Sequence, residues 1–132
     1  MRFLNAIPAL PVRNIDQSVA FFQDKLGFTS GYHDEGFAKL QRDSAEIHLW
    51  ASTDESWRER DGSSPIVSGA ESFIAGTASC RIGIEGVDEL YQEVLPLGII
   101  HPNGHLDNTD FGTREFGVTD TNNNLITFFE RV

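Results

Sequence analysis

The chain states one pattern twice. A strand-like run enters a helix at Ile15-Asp16 that stops at Leu26-Gly27-Phe28, and the same order recurs from Val87-Asp88 to Leu97-Gly98-Ile99. The period is about 71 to 72 residues, slightly over half the chain, too long for a solenoid unit and suited to one duplicated module. Two units this small are expected to share a single core, because a half-length unit buries too little surface to stand alone. Their joint makes a cleft, and clefts hold ligands.

Each copy reads as β-α-β-β-β. In the first, Phe3 to Val12 is an apolar run carrying Pro8 and Pro11. Proline lacks the N–H that a central ladder needs, so this strand belongs at a sheet edge or crosses to another subunit. Asn14 or Asp16 supplies a helix N-cap, Val19, Phe22 and Leu26 recur at helical spacing, and Gly27 sits where a left-handed residue closes a helix. Thr29 to His33, Phe37 to Arg42 and Glu46 to Trp50 follow as short strands separated by turn residues. In the second copy, Ser79 to Glu85 alternates Cys80, Ile82 and Ile84 with small or polar residues. Asp88 is the expected cap of a helix carrying Leu90, Val94 and Leu95, and Pro96 and Gly98 end it. Arg114 to Thr119 and Leu125 to Glu130 then flank Asp120-Thr121-Asn122-Asn123-Asn124, which reads as a turn. The strand that should precede them is not evident around His101-Pro102-Asn103-Gly104.

The expected architecture is α+β: two tandem βαβββ modules forming a cupped mixed sheet within one domain spanning 1–132. Module one covers about 1–52, a loop about 53–77, and module two about 78–132. The loop is too long for an ordinary connection and keeps Trp57, Ile66, Val67, Phe73 and Ile74, so it is expected to act as a lid or a dimer contact.

Twenty acidic residues against ten basic ones give a formal charge of −10. Without a Lys/Arg cluster there is no phosphate-tracking stripe, so nucleic acid is not an expected partner, whereas a cationic ligand would be attracted. The single Cys80 allows no intrachain disulfide, and no apolar run approaches the length of a membrane span. A soluble, cytoplasmic protein with no membrane partner is the expectation. No Ser-His-Asp or Cys-His constellation, phosphate loop or zinc-spacing cluster is visible.

The Arg13-Asn14-Ile15-Asp16 entry to the first helix, its Leu26-Gly27-Phe28 exit, and Gly112-Thr113-Arg114-Glu115-Phe116 followed by Asp120 and Asn124 resemble the vicinal oxygen chelate superfamily. Within it the chain is most similar to the bleomycin-resistance proteins. The superfamily contains metal-dependent enzymes (glyoxalase I, extradiol dioxygenases, fosfomycin-inactivating transferases) and metal-free binders that sequester an antibiotic. Matched to the glyoxalase pattern, the metal positions hold Ile7, His48, Arg81 and Thr127, of which only His48 is a good ligand. A guanidinium about 4 Å from a divalent ion would be repelled by roughly 8 kcal/mol at an effective dielectric of 20. The resemblance therefore implies a binder with no cofactor, and its alternative is an enzyme with one divalent metal ion held by His48 and Glu130.

In the bleomycin-resistance proteins, the drug's flat bithiazole tail is held between aromatic side chains in a groove at a homodimer interface. Phe37 matches one stacking position by local context and Phe111 matches the other. Alternation in Ala45 to Trp50 puts Glu46, His48 and Trp50 on one face, and Trp50 and Trp57 would extend the groove wall. Asp34, Glu35, Asp107 or Asp110 would meet the ligand's cationic tail. The expected function is sequestration of a bleomycin-like cationic glycopeptide by a homodimer. The alternatives are a metal-dependent glyoxalase, lyase or dioxygenase, or a binder of an unrelated metabolite.

Overall fold

Asn14 starts the first helix: its backbone is extended and its side-chain oxygen accepts the Gln17 N–H at 2.9 Å, which satisfies one of the otherwise unpaired donors of the first turn. The computed structural model describes residues 1–52 and 74–132. Helix α1 (Ile15–Leu26) ends on Gly27 at φ 67°, and the Phe28 N–H returns to the Phe22 carbonyl at 3.0 Å. Arg42 donates to the Leu26 carbonyl at 2.7 Å and so satisfies another helix-end acceptor. Val19, Phe22 and Leu26 are buried as the spacing predicted.

Strands β1 (Ala9–Val12), β2 (Thr29–His33), β3 (Phe37–Arg42) and β4 (Ala45–Ala51) form a sheet in the order β1-β4-β3-β2. Only the last part of the apolar opening run is strand. It pairs parallel with β4 at the sheet edge, where Pro11 costs no ladder bond. Phe3 and Leu4 lie ahead of it, 91% and 77% exposed.

The second module repeats the plan. Strands β5 (Ser79–Gly83), β6 (Asp107–Asn108), β7 (Thr113–Thr119) and β8 (Leu125–Arg131) are ordered β5-β8-β7-β6, with helix α2 (Val87–Val94) after β5. A short 3₁₀ turn, Leu95–Leu97, leads to Gly98 at φ 71°, the counterpart of Gly27. Asp88 is not the cap of α2. The N-cap is Gly86, which has no side chain to offer, and Glu130 on β8 instead accepts the Val87 N–H at 3.1 Å. Asp88 sits within the first turn and takes Arg114 in a bidentate pair at 2.8 and 2.9 Å.

The strand missing from the sequence pattern is short for a physical reason. Edge bonds to β7 are supplied by His101 N–H to Gly117 O at 2.9 Å and Gly117 N–H to Gly104 O at 2.8 Å, within a segment interrupted by Pro102. A Cβ on Gly104 would lie 3.2 Å from the Gly117 nitrogen, so glycine permits this close approach. Regular pairing resumes only at Asp107–Asn108.

Both modules feed one core, in which Phe22, Leu40, Ile47 and Leu49 join Val87, Phe116, Val118 and Ile126. The Asp120–Asn124 turn lies at the joint, with Asp120, Asn122 and Asn124 buried and Thr121 and Asn123 exposed. Asn124 donates to the Pro11 carbonyl at 2.8 Å and accepts from Gly76 N–H at 3.1 Å and Ala78 N–H at 3.4 Å. Asp120 accepts the Asn122 and Asn124 N–H groups, each at 2.8 Å, and Asn122 accepts the Arg13 N–H at 3.0 Å. Burial pushes the Asp120 carboxyl above its ordinary range, against the pull of these donors. Trp57 and the rest of the connection between the modules, residues 53–73, lie outside the described residues.

Candidate functional site

Alternation along β3 and β4 divides the first sheet into two faces. Ala38, Leu40, Ile47 and Leu49 enter the core with no exposed surface. Phe37, Lys39, Glu46, His48 and Trp50 therefore share the opposite face, with Phe37 paired to Trp50 and Lys39 to His48 in the antiparallel register.

Three of the residues singled out in the sequence meet there. The Phe37 ring lies 4.9 Å from Trp50 and 5.0 Å from His48, edge-on to both. His48 Nε2 is 2.7 Å from Glu46, and Lys39 stands 3.7 Å from the other Glu46 oxygen. A carboxylate only accepts, so Nε2 carries the proton in this contact and its lone pair is not offered outward. The result is an aromatic floor bordered by a neutralised polar row, suited to a flat ligand with polar edges.

Asp34 serves the hairpin between β2 and β3. Its Oδ1 accepts the Gly36 and Phe37 N–H groups at 2.8 and 2.9 Å, and its Oδ2 accepts the Tyr32 hydroxyl at 2.8 Å. These donors hold its carboxyl below the usual range, the Gly36 N–H contributing most. Asp34 thus positions Phe37. Asp107 is likewise turned to its own strand, accepting the Asn108 N–H at 2.8 Å. Glu35 and Asp110 remain exposed.

The second sheet presents Arg81 and Thr127 side by side, in the arrangement of Ala9 and His48 in the first. Ala9 rather than Ile7 is therefore the repeat partner of Arg81, and Ile7 precedes β1, exposed. Neither residue carries a donor atom. Arg81 makes a bidentate pair with Glu115, and its guanidinium lies 4.8 Å over the Phe129 ring. The pair depresses the Glu115 pKa, chiefly through the Arg81 hydrogen bond. Folding stability from Glu115 is then present above its ordinary value of 4.5 and lost as pH falls through the lower folded value. Arg81→Gln should flatten that acid-side loss and cost at most about 1 kcal/mol at neutral pH, because the pair is near the surface. Denaturant melts at pH 3, 4, 5 and 7 check this; an acid-side slope unchanged by the substitution would contradict it.

A divalent metal does not fit this donor set. Glu130, the alternative second ligand, is turned to the α2 N-terminus, and the matched positions hold Ala9, His48, Arg81 and Thr127. The glyoxalase-matched set itself is Ile7, His48, Arg81 and Thr127, with Ala9 taking the register position beside His48, and either way His48 is its one good side-chain donor. Among the described residues no three His, Cys, Asp or Glu side chains converge. His33 and His105 are exposed, and each is engaged by a neighbour, Ser30 and Tyr91 respectively. His101 accepts the Asn103 N–H at 3.0 Å. Arg114 and Glu115 are each half of an ion pair, with Asp88 and Arg81 respectively.

Phe111 is 67% exposed in the turn before β7, and among the described residues it has no ring contact with Phe37, His48 or Trp50. The joint does form the cleft that the repeat implied. A cavity of about 730 Å³ is lined from module one by Phe28, Arg42 and Glu46 and from module two by Arg81, Glu89 and Leu90. Phe37 and Trp50 lie outside it.

No family model matches the sequence. The chain is, however, 55% identical over 129 residues to the bleomycin resistance proteins of Geobacillus stearothermophilus and Staphylococcus aureus, covering 98% of itself and 98% of each relative. It belongs to the bleomycin-resistance protein family. Solved structures agree on the fold. The bleomycin-binding protein of Streptomyces verticillus, crystallised with copper(II)-bleomycin, matches at a TM-score of 0.73 and 22% identity, covering 97% of this chain and 96% of that one. A glyoxalase/bleomycin resistance protein/dioxygenase from Nocardioides matches at 0.70 and 19% identity, covering 100% and 85%. In this member of the family, Phe37, His48 and Trp50 share one face of the first sheet. Tyr32 gave no sequence signal, although its ring stands 6.5 Å from Phe37.

Proposed function

We propose that this member of the family binds bleomycin, or a glycopeptide with the same flat, cationic tail, and holds it unchanged. The observation that carries the reading is the grouping of Phe37, His48 and Trp50 on one open sheet face in a chain 55% identical to bleomycin resistance proteins. Stacking of aromatic rings contributes about 0.5–1.5 kcal/mol per pair beyond area burial, and a chain of charge −10 draws a cation toward it. Arg81, locked to Glu115 where enzymes of this fold present a metal ligand, supports binding without a metal cofactor.

The functional unit in this proposal is a cytoplasmic homodimer. Phe111 does not reach Phe37 within one chain, so the groove needs the Phe111 of a second copy. The exposed Phe3, Leu4 and Ile7 ahead of the edge strand β1 give each chain an apolar arm to lay on its partner. Trp50 reports on the site. Titration with bleomycin is expected to quench tryptophan fluorescence saturably with one site per chain, and absence of any change at micromolar ligand would overturn the drug assignment.

A further inference from the structure

The second sheet bears a hollow of its own. Along β8, Ile126 and Phe128 enter the core, so alternation turns Leu125 and Thr127 to the opposite face. The edge segment 101–105 and strand β6 lie beside them, and together they line a cavity of about 320 Å³, at the small end of the sizes that hold compact ligands. Glycine keeps its floor bare. A Cβ on Gly117 would lie 3.1 Å from Leu125 Cδ1, and one on Gly104 would lie 3.2 Å from the Gly117 nitrogen.

The walls of this cavity offer hydrogen bonds of both senses. His101 Nδ1 accepts the Asn103 N–H at 3.0 Å, so in the neutral ring the proton sits on Nε2, a donor with no other partner among the described residues. His105 Nδ1 is taken by the Tyr91 hydroxyl at 2.7 Å and likewise leaves Nε2. The Asn103 amide and the Thr127 hydroxyl add donors and acceptors, and Asp107 keeps Oδ2 while its Oδ1 holds the Asn108 N–H. Glu115 at the margin is neutralised by Arg81. Hydroxyl groups leave water at little cost only where such partners replace it. Mixed donors and acceptors around a small apolar patch, Leu125, match a neutral polyol, which has hydroxyls to bond and C–H faces to cover. On the reading that the ligand is a bleomycin-type glycopeptide, we propose that this cavity receives its sugar. Thr109, which lines the cavity, also accepts the Phe111 N–H at 3.4 Å, so the hollow adjoins the ring that the groove takes from a second copy. One ligand then lays its flat tail on the aromatic face and its glycan in the hollow.

The test is titration of the full chain with bleomycin and with its sugar-free aglycone. The unsubstituted protein is expected to bind bleomycin about tenfold or more tightly than the aglycone, a ratio that about two net hydrogen bonds supply. Thr127→Val keeps the branched shape that suits a strand. It should weaken bleomycin about three- to tenfold, the loss of one net hydrogen bond, while leaving aglycone affinity within about twofold. His101→Ala should show the same selectivity. Because that change also frees the Asn103 N–H, Thr127→Val decides the question if His101→Ala lowers the melting temperature. Equal affinity of the unsubstituted protein for bleomycin and aglycone would overturn the sugar assignment while leaving the drug assignment intact. Losses in Thr127→Val that are the same for both ligands would also overturn it, by assigning the effect to the rest of the molecule. Absence of bleomycin binding by the unsubstituted protein would overturn both readings.

Discussion

Asn124→Ala is expected to destabilise the protein by about 3 kcal/mol, lowering its melting temperature by roughly 10 °C for a domain of this size. The residue has no exposed surface, and its amide holds the second module to the first. Truncation would leave the Pro11 carbonyl and the Gly76 and Ala78 N–H groups without the partner they have now. The bond to the Pro11 carbonyl is buried and the two N–H groups are part-buried, and each such group left without a partner costs about 1 kcal/mol. Because the lost bonds cross the joint, the damage should appear as loss of the whole fold rather than local fraying.

Asn124→Asp separates charge from packing. It keeps an acceptor for Gly76 and Ala78 but loses the donor to Pro11 and sets a second carboxyl beside Asp120, already pushed up by burial. Both groups would then have folded-state pKa values above their unfolded ones. Their contribution is intact at low pH and lost as pH rises through the folded values. The Asp variant should therefore be closest to wild type near pH 4 and fall away toward pH 8. Thermal melts at the two pH values decide it: a change below about 1 kcal/mol in Asn124→Ala, or a pH-independent penalty in Asn124→Asp, would contradict this account of the joint.

Phe37→Ala carries the second large effect. A weakening of bleomycin binding by about 30-fold is expected, the about 2 kcal/mol typical of an aromatic hot spot at the centre of an interface. Among the described residues, Phe37 is the one ring in contact with Tyr32, His48 and Trp50 together. Removing it takes away the stacking surface and also frees the rings that it spaces. Its side chain is only half-buried, so the loss in stability should be much smaller than for a core phenylalanine such as Phe22. Calorimetric titration alongside a melting curve distinguishes a lost site from a lost fold. Affinity within threefold of wild type would remove Phe37 from the site.

Local rules carried much of the fold. Asn14 and Gly27 bound α1 through contacts within a few residues, and alternation of period 2 placed Glu46, His48 and Trp50 on one face, to which the pairing of β3 with β4 adds Phe37. Features set by distant partners were not legible. Glu130 caps α2 from the far end of the chain, so Asp88 looked like the cap. The Asp120–Asn124 run has the composition of a surface turn, and only its bonds to Pro11, Arg13 and Ser18 reveal a buried joint. Parallel pairing set Ala9 instead of Ile7 beside His48, a register that no local pattern specifies. A register shift in β2 between Ser30 and Tyr32 hid Tyr32 for a related reason, because one extra residue inverts the parity on which face assignment depends. Phe111 matched a stacking position by its neighbours in sequence, yet one chain alone does not bring it to Phe37.

Bleomycin is expected to be held by the protein and not transformed. Mass analysis of bleomycin recovered after prolonged incubation in excess over the protein tests it most directly. One equivalent per chain should be retained, and both that equivalent and the unbound excess should keep their original mass. Conversion of more than one equivalent, or no retention at micromolar concentrations, would contradict the account.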